Sequence, residues 1–215
     1  MTDAKSDGAL KFQYREFVSR AMPDEKGYKF DVEVHPPAAG GGIMIGNTSY
    51  ELKSFHVHTK SEHTFGGAQA AFEVHLVHES ATGLTAVVGI LMDEVASGGN
   101  GLVTDMMTNA MEKAIKDFKV NPNRFLSRSG TRYYSYKGSL TTPGCSPVAY
   151  WMVDASPKGG RPTVNRGDLE NLKTFILGFS INHATHSTYP YNDRPVPIDQ
   201  PPVNVTVYNS QVIIP

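Results

Sequence analysis

Short apolar runs punctuated by turn residues dominate the chain. Lys29–Val34, Tyr50–His58, Ala71–His78, Thr85–Met92, Tyr133–Tyr136, Ala149–Val153 and Val203–Val207 combine β-branched and aromatic residues in strand-like patterns. Segments such as PPAAGGG, FGG, ATG and ASPKGG separate them with turn chemistry. Two stretches change period. From Leu102 to Phe118, the positions Val103, Met106, Met107, Ala110, Met111, Ala114 and Ile115 recur at helical spacing. Gly167–Leu177 follows Asn165 and puts Leu169, Leu172, Phe175 and Ile176 on one side, which predicts a second, shorter helix. No internal repeat or long linker divides the chain, so the pattern predicts one β-rich domain over residues 1–215, with a few surface helices.

Composition narrows the function classes. The 215 residues carry 20 basic and 21 acidic side chains, a net charge of −1. That balance supplies no field for a polyanion and argues against a nucleic-acid binder. No apolar run is long enough to span a bilayer, and residues 1–30 carry no apolar core of a signal peptide. The single cysteine, Cys145, has no partner for an internal disulfide.

The chemistry concentrates in FHVHTKSEHTFGGAQAAFEVHLVH, which holds five of the eight histidines. In a strand, residues i and i+2 share a face, so His56 and His58 point the same way. Phe72–His78 reads as a second strand with Glu73, His75 and Val77 on one face. If the two strands are antiparallel neighbours, His75 completes a trio. Three neutral imidazoles with one open position describe a catalytic zinc site, where bound water is acidified to a pKa near 7. Glu73, on the face of His75, is a candidate acceptor for that ring's far N–H. A lone histidine on a strand is usually a satisfied core or surface residue; the third in-phase histidine and the nearby carboxylates shift the balance toward metal. His63 and His78 fall outside this phase and read as structural. A competing pattern, His56-x-His58-x3-Glu62, fits the first metal motif of cupins, which hold iron, manganese or nickel. The second cupin motif has no counterpart, since TTPGCSP lacks the required histidine.

The segments SFHVHTKSEHTF (54–65), FEVHLVH (72–78), AVVGILM (86–92), YYSYKGSLTTPGCS (133–146) and NDRPVP (192–197) together resemble the α-class carbonic anhydrases. The resemblance extends over nearly all of residues 10–200. It implies a β-dominated α+β fold, with a twisted, largely antiparallel central sheet and peripheral helices. It also implies reversible hydration of carbon dioxide to bicarbonate and a proton by zinc-bound hydroxide, and inhibition by sulfonamides and anions. Carried over, His56, His58 and His75 match the zinc ligands. Thr141 matches the threonine that accepts from the hydroxide and donates to a glutamate, here Glu62; Thr142 matches the residue that helps hold bicarbonate. Glu73 and the backbone carbonyl of Asn192 match partners of His75 and His58, and His63 and Tyr136 match the buried network behind the site. Val77, Val87, Leu140, Ala149 and Trp151 match the apolar wall where carbon dioxide rests.

Three departures from the family pattern carry expectations. Ser54 stands where the partner of the first histidine is typically glutamine, and its shorter reach predicts a looser site. Tyr28 stands at the proton-shuttle position, and a phenol with a pKa near 10 shuttles poorly at neutral pH, which predicts slower, buffer-dependent turnover. The resemblance also starts near Leu10–Tyr14, about forty residues later than the family pattern, which predicts a shortened N-terminus and lower stability with the chemistry intact. Sequons at Asn47 and Asn204, with the solitary Cys145, favour an extracytoplasmic parent protein. A catalytically silent binding protein is the alternative function.

Overall fold

The computed structural model describes residues 10–19, 21–23, 30–34, 36, 38–111, 117–127, 131–141, 146–182, 196–197 and 206–212. In chain order the strands begin with β1 (Leu10–Tyr14), β2 (Phe17–Ser19), β3 (Ala21–Pro23), β4 (Phe30–Glu33), β5 (Gly41–Ile45) and β6 (Thr48–His58). There follow β7 (His63–Phe65), β8 (Ala68–Gln69), β9 (Phe72–Ser80) and β10 (Thr85–Val95). After helix α1 (Gly101–Met111) come β11 (Phe118–Val120), a 3-10 turn at Pro122–Phe125, β12 (Arg132–Ser139), β13 (Pro147–Asp154) and β14 (Thr163–Asn165). Helix α2 (Arg166–Asn182), β15 (Val196–Pro197) and β16 (Thr206–Val212) complete the described elements.

An 11-stranded sheet organises the molecule. Most pairings are antiparallel; β1 with β16, and β10 with both β13 and β14, are parallel. The hydrogen-bonded order runs from β6 through β9, β10, β13, β12, β16, β1 and β5, then returns to β6, so the pairing closes on itself. Closure leaves these strands few free edges, the usual liability of a sheet.

The sheet separates two apolar regions. One face carries Phe55, Val57, Val74, Leu76, Val88 and Ile90, all wholly buried in the larger core. Helices α1 and α2 contribute Leu102, Val103, Met106, Leu169 and Leu172 to the same core. Side-chain caps start both helices: Asn100 Oδ1 accepts from the Leu102 N–H, and Asn165 Oδ1 from the Gly167 N–H. Thr104 Oγ1 donates to Asp168 Oδ2 across 2.7 Å and ties the two helices together. The opposite face holds a smaller cluster built on Val87, Leu91, Trp151 and Val153. The candidate site sits on this second face.

A β-bulge decides which part of β6 sees which face. The register with β9 shifts between Leu52 and Ser54, so Leu52 lies opposite His78 while Ser54 lies opposite Val77. Tyr50 and Leu52 therefore pack into the larger core. Ser54, His56 and His58 turn to the other face, although unbroken alternation would have kept all five together.

One predicted element is corrected. The helical period was read through to Phe118, but Phe118 opens β11 and pairs with Ser19. Phe118 and Val120 are buried while Lys119 is exposed, a period of two that ends at Asn121-Pro122. Ala114 and Ile115 lie outside the described residues. The predicted strands recur with shifted ends; the last is described over Thr206–Val212, and Val203, Asn204 and Val205 lie outside the described residues.

Candidate functional site

Register brings the histidines together. His56 stands directly opposite His75, and His58 opposite Glu73. Because β6 and β9 are antiparallel, residues two apart on each strand stack into rows on one face. The row through His56 and His75 continues to Gly89 and Val153; the neighbouring row runs Ser54, Val77, Val87, Trp151. His56 and His58 are 7% exposed and His75 is 1% exposed, so the rings are almost wholly enclosed.

Three ring nitrogens converge. His75 Nδ1 lies 3.2 Å from His56 Nε2 and 3.2 Å from His58 Nε2. A shared proton satisfies at most one of these contacts, since one nitrogen cannot donate two ways. A cation satisfies all of them. Four-coordinate sites with metal–nitrogen bonds of about 2.0–2.1 Å place neighbouring ligand atoms about 3.3 Å apart, which matches the observed spacing. The donor set is therefore preorganised to hold a metal ion.

A buried relay stands behind His75. Glu73 Oε1 lies 3.0 Å from His75 Nε2, within reach although off the line of a well-aligned hydrogen bond. The same carboxylate takes the His63 ring Nδ1–H and, at 2.9 Å, the His63 backbone N–H. With Nδ1 donating, His63 Nε2 accepts from the Tyr136 hydroxyl at 2.8 Å, an assignment made from the bonding pattern. Burial pushes the Glu73 carboxyl up, but the facing His63 and His75 rings outweigh it and hold it well below the usual carboxylate range. Burial, then the charges of Glu73 and Glu62, pushes the Tyr136 phenol up and keeps its proton on.

Two residues the sequence reading passed over support this relay. A Cβ on Gly89, which lies opposite His75, would come within 2.9 Å of Glu73 Oε1, so the carboxylate occupies the space a side chain would need. Ser61, 1% exposed, donates to the His63 carbonyl at 2.7 Å and accepts from the Ala70 N–H at 2.8 Å, which pins the segment carrying His63. The short step from Ser61 to His63 beside a Gly-Gly turn was the available signal.

A cavity of about 140 Å³ opens on the nitrogen cluster. Ser54, His56, His75 and Thr141 form its polar side, and Val77, Val87, Leu140 and Trp151 its apolar side. Ala149 does not line it. Glu62 is buried with Oε1 3.7 Å from His58 Nδ1 and Oε2 3.9 Å from His75 Nδ1. No hydrogen bond joins Glu62 to Thr141 among the described residues, and Glu62 Oε2 has no hydrogen-bond partner there. Tyr28, Thr142, Cys145 and Asn192 lie outside the described residues. His78 faces the opposite core, where Nδ1 donates to the Ala86 carbonyl and Nε2 accepts from the Tyr14 hydroxyl at 2.9 Å. No described helix is long and apolar enough to cross a membrane.

The sequence profile of the eukaryotic-type carbonic anhydrases matches residues 2–159. Alpha carbonic anhydrase 5 of Arabidopsis thaliana is 30% identical over 206 residues, covering 94% of this chain and 71% of its own length. Alpha carbonic anhydrase 3 of the same plant is 33% identical over 130 residues, 58% of this chain and 46% of its own length. The match thus spans less than half the length of that relative, as it does for alpha carbonic anhydrase 8, at 45%. Among solved structures, the carbonic anhydrase Cah3 of Chlamydomonas reinhardtii in complex with acetazolamide superposes with a TM-score of 0.68 at 26% identity, covering 97% of this chain and 83% of that one. Dioscorin complexed with ascorbate superposes with a TM-score of 0.72 at 26% identity, covering 95% and 79%. From its profile, its relatives and its strand-rich architecture, the chain belongs to the α-class carbonic anhydrase family.

Proposed function

We propose that the protein is a zinc-dependent carbonic anhydrase that hydrates carbon dioxide reversibly to bicarbonate and a proton. The observation that carries this reading is the trio of nitrogens spaced for a single cation beside an apolar pocket. When bound there, zinc lowers the pKa of water to about 7 and so supplies a nucleophile at neutral pH.

The residues of the chain do the rest. The Glu73 carboxylate, 3.0 Å from His75 Nε2, favours the proton on that nitrogen by its charge, which leaves the Nδ1 lone pair for the cation. His63 and Tyr136 hold Glu73 in turn, so the ring cannot rotate without breaking a buried relay. Val77, Val87, Leu140 and Trp151 offer a nonpolar gas a surface that water does not compete for. Thr141 lines the same cavity, and the buried Glu62 lies beside His58 and His75; by family resemblance, a Thr141 hydroxyl that gives its proton to Glu62 accepts from the nucleophile and thereby orients it. Thr142 and the Asn192 carbonyl complete this reading by family resemblance. Tyr28, which the family resemblance puts at the shuttle position, would make proton removal depend on buffer, so the rate rises with imidazole concentration; a flat response would contradict that part.

The decisive experiment measures zinc stoichiometry and acetazolamide-sensitive hydration on the wild type. One equivalent of zinc with inhibitable hydration supports the proposal. Zinc without hydration supports the silent-binder reading. Iron, manganese or nickel in place of zinc would support cupin-like chemistry on this fold. We infer also an extracytoplasmic location: Asn47 is exposed in the turn between β5 and β6, as a glycan requires. A mass shift on deglycosylation of material from a eukaryotic secretory host tests this.

A further inference from the structure

A second cavity, about 880 Å³, opens on the opposite side of the smaller apolar cluster and shares no lining residue with the metal cavity. Its floor is aromatic. Phe65 and Tyr134 lie with ring centres 5.8 Å apart, and the guanidinium of Arg161 sits 5.6 Å from the centre of the Phe65 ring. Arg161 is fixed in place: its side chain is 8% exposed, Nε donates to the Ser156 carbonyl at 3.0 Å, and Nη1 reaches Asp93 Oδ1 at 3.5 Å. No described contact uses its Nη2, which leaves donors for a guest.

Charge around the opening is one-sided. Lys60, Lys158 and Lys173 line the rim, are exposed, and form no ion pair among the described residues. The two carboxylates of the lining are already committed: Asp93 to Arg161 and the Gly159 N–H, Glu94 to Arg166. A cavity of this size falls in the range of sites for organic ligands and far exceeds what an inorganic anion fills. An aromatic floor recognises a ring, and a planar guanidinium with surrounding ammonium groups recognises an anionic oxygen group.

We propose that this cavity binds an organic anion with an aromatic body and a carboxylate or sulfonate head, the ring lying against Phe65 and Tyr134 and the head facing Arg161 and the rim lysines. The test is a fluorescence titration of the whole chain with 8-anilinonaphthalene-1-sulfonate at low ionic strength. The expected result is saturable binding of one equivalent that acetazolamide does not displace. Lys158→Glu/Lys173→Glu, on exposed positions, weakens binding about tenfold, and added salt narrows that gap. Phe65→Leu weakens it while the melting temperature holds within a few degrees. Displacement by acetazolamide, an unchanged titration in the lysine variant, or binding without saturation would each overturn the proposal. So would capture of an acidic, phenylalanine-containing hexapeptide with no binding of the sulfonate, which would make the groove a peptide dock.

Discussion

On one face of β9, His75 meets two other imidazoles and the carboxylate of Glu73; on the other, His78 meets a phenol and a backbone carbonyl. Both rings are buried, three residues apart on one strand. Glu73 makes the His75 side a place where positive charge is welcome. The His78 side offers only neutral partners, and burial brings that ring's pKa down to about 3. Burial alone therefore does not distinguish a functional histidine from a structural one. The sign of the groups it faces does.

Variants sharpen that contrast. His75→Ala has the largest expected effect: zinc content falls from one equivalent toward zero and hydration is lost, while the far-UV spectrum is kept. Glu73→Gln comes next, with metal affinity about 10–100-fold weaker in a chelator competition. Gly89→Ala forces the carboxylate of Glu73 aside and should weaken metal binding in the same assay, with about 1–3 kcal/mol lost from stability.

On the other face, Tyr14→Phe leaves His78 Nε2 buried without its donor and costs about 1–3 kcal/mol in urea unfolding, with zinc binding unchanged. The pH dependence has a definite sign. His78 stays neutral in the fold but takes up a proton when unfolded below its ordinary value of 6.5, so its contribution is full above pH 6.5. It is lost as the pH falls from 6.5 toward 3, at about 1 kcal/mol per pH unit. His78→Gln should flatten that part of the profile. Ser54→Gln is the smallest change, slowing zinc release a few-fold if the shorter side chain loosens His56.

The trio was legible because a period of two is rigid: spacing put His56 and His58 on one side, and His75 joined them once its strand was taken as their antiparallel neighbour. What spacing could not supply was the bulge before Ser54, which turns the second half of β6 away from the core that holds Leu52. Gly89 was illegible for a related reason, since its role exists only once β10 lies against β9. Leu10–Tyr14 is short and becomes a strand through partners far along the chain, Gly41–Ile45 and Thr206–Val212. The helix predicted through Phe118 failed because apolar spacing near a turn fits two periods at once, and pairing with Phe17–Ser19 decided between them.

The parallel contact of Leu10 with Ser210 has a temporal side. Leu10–Tyr14 waits during synthesis for a strand made about 200 residues later, and until then Leu10–Tyr14 and Arg132–Ser139 each lack the neighbour that β16 provides. Chains that lack Thr206–Val212 would carry two unfilled hydrogen-bonding rims, the form in which sheets recruit one another. Zippering of the native state is therefore slow, and chaperone demand should last until Thr206–Val212 has been made.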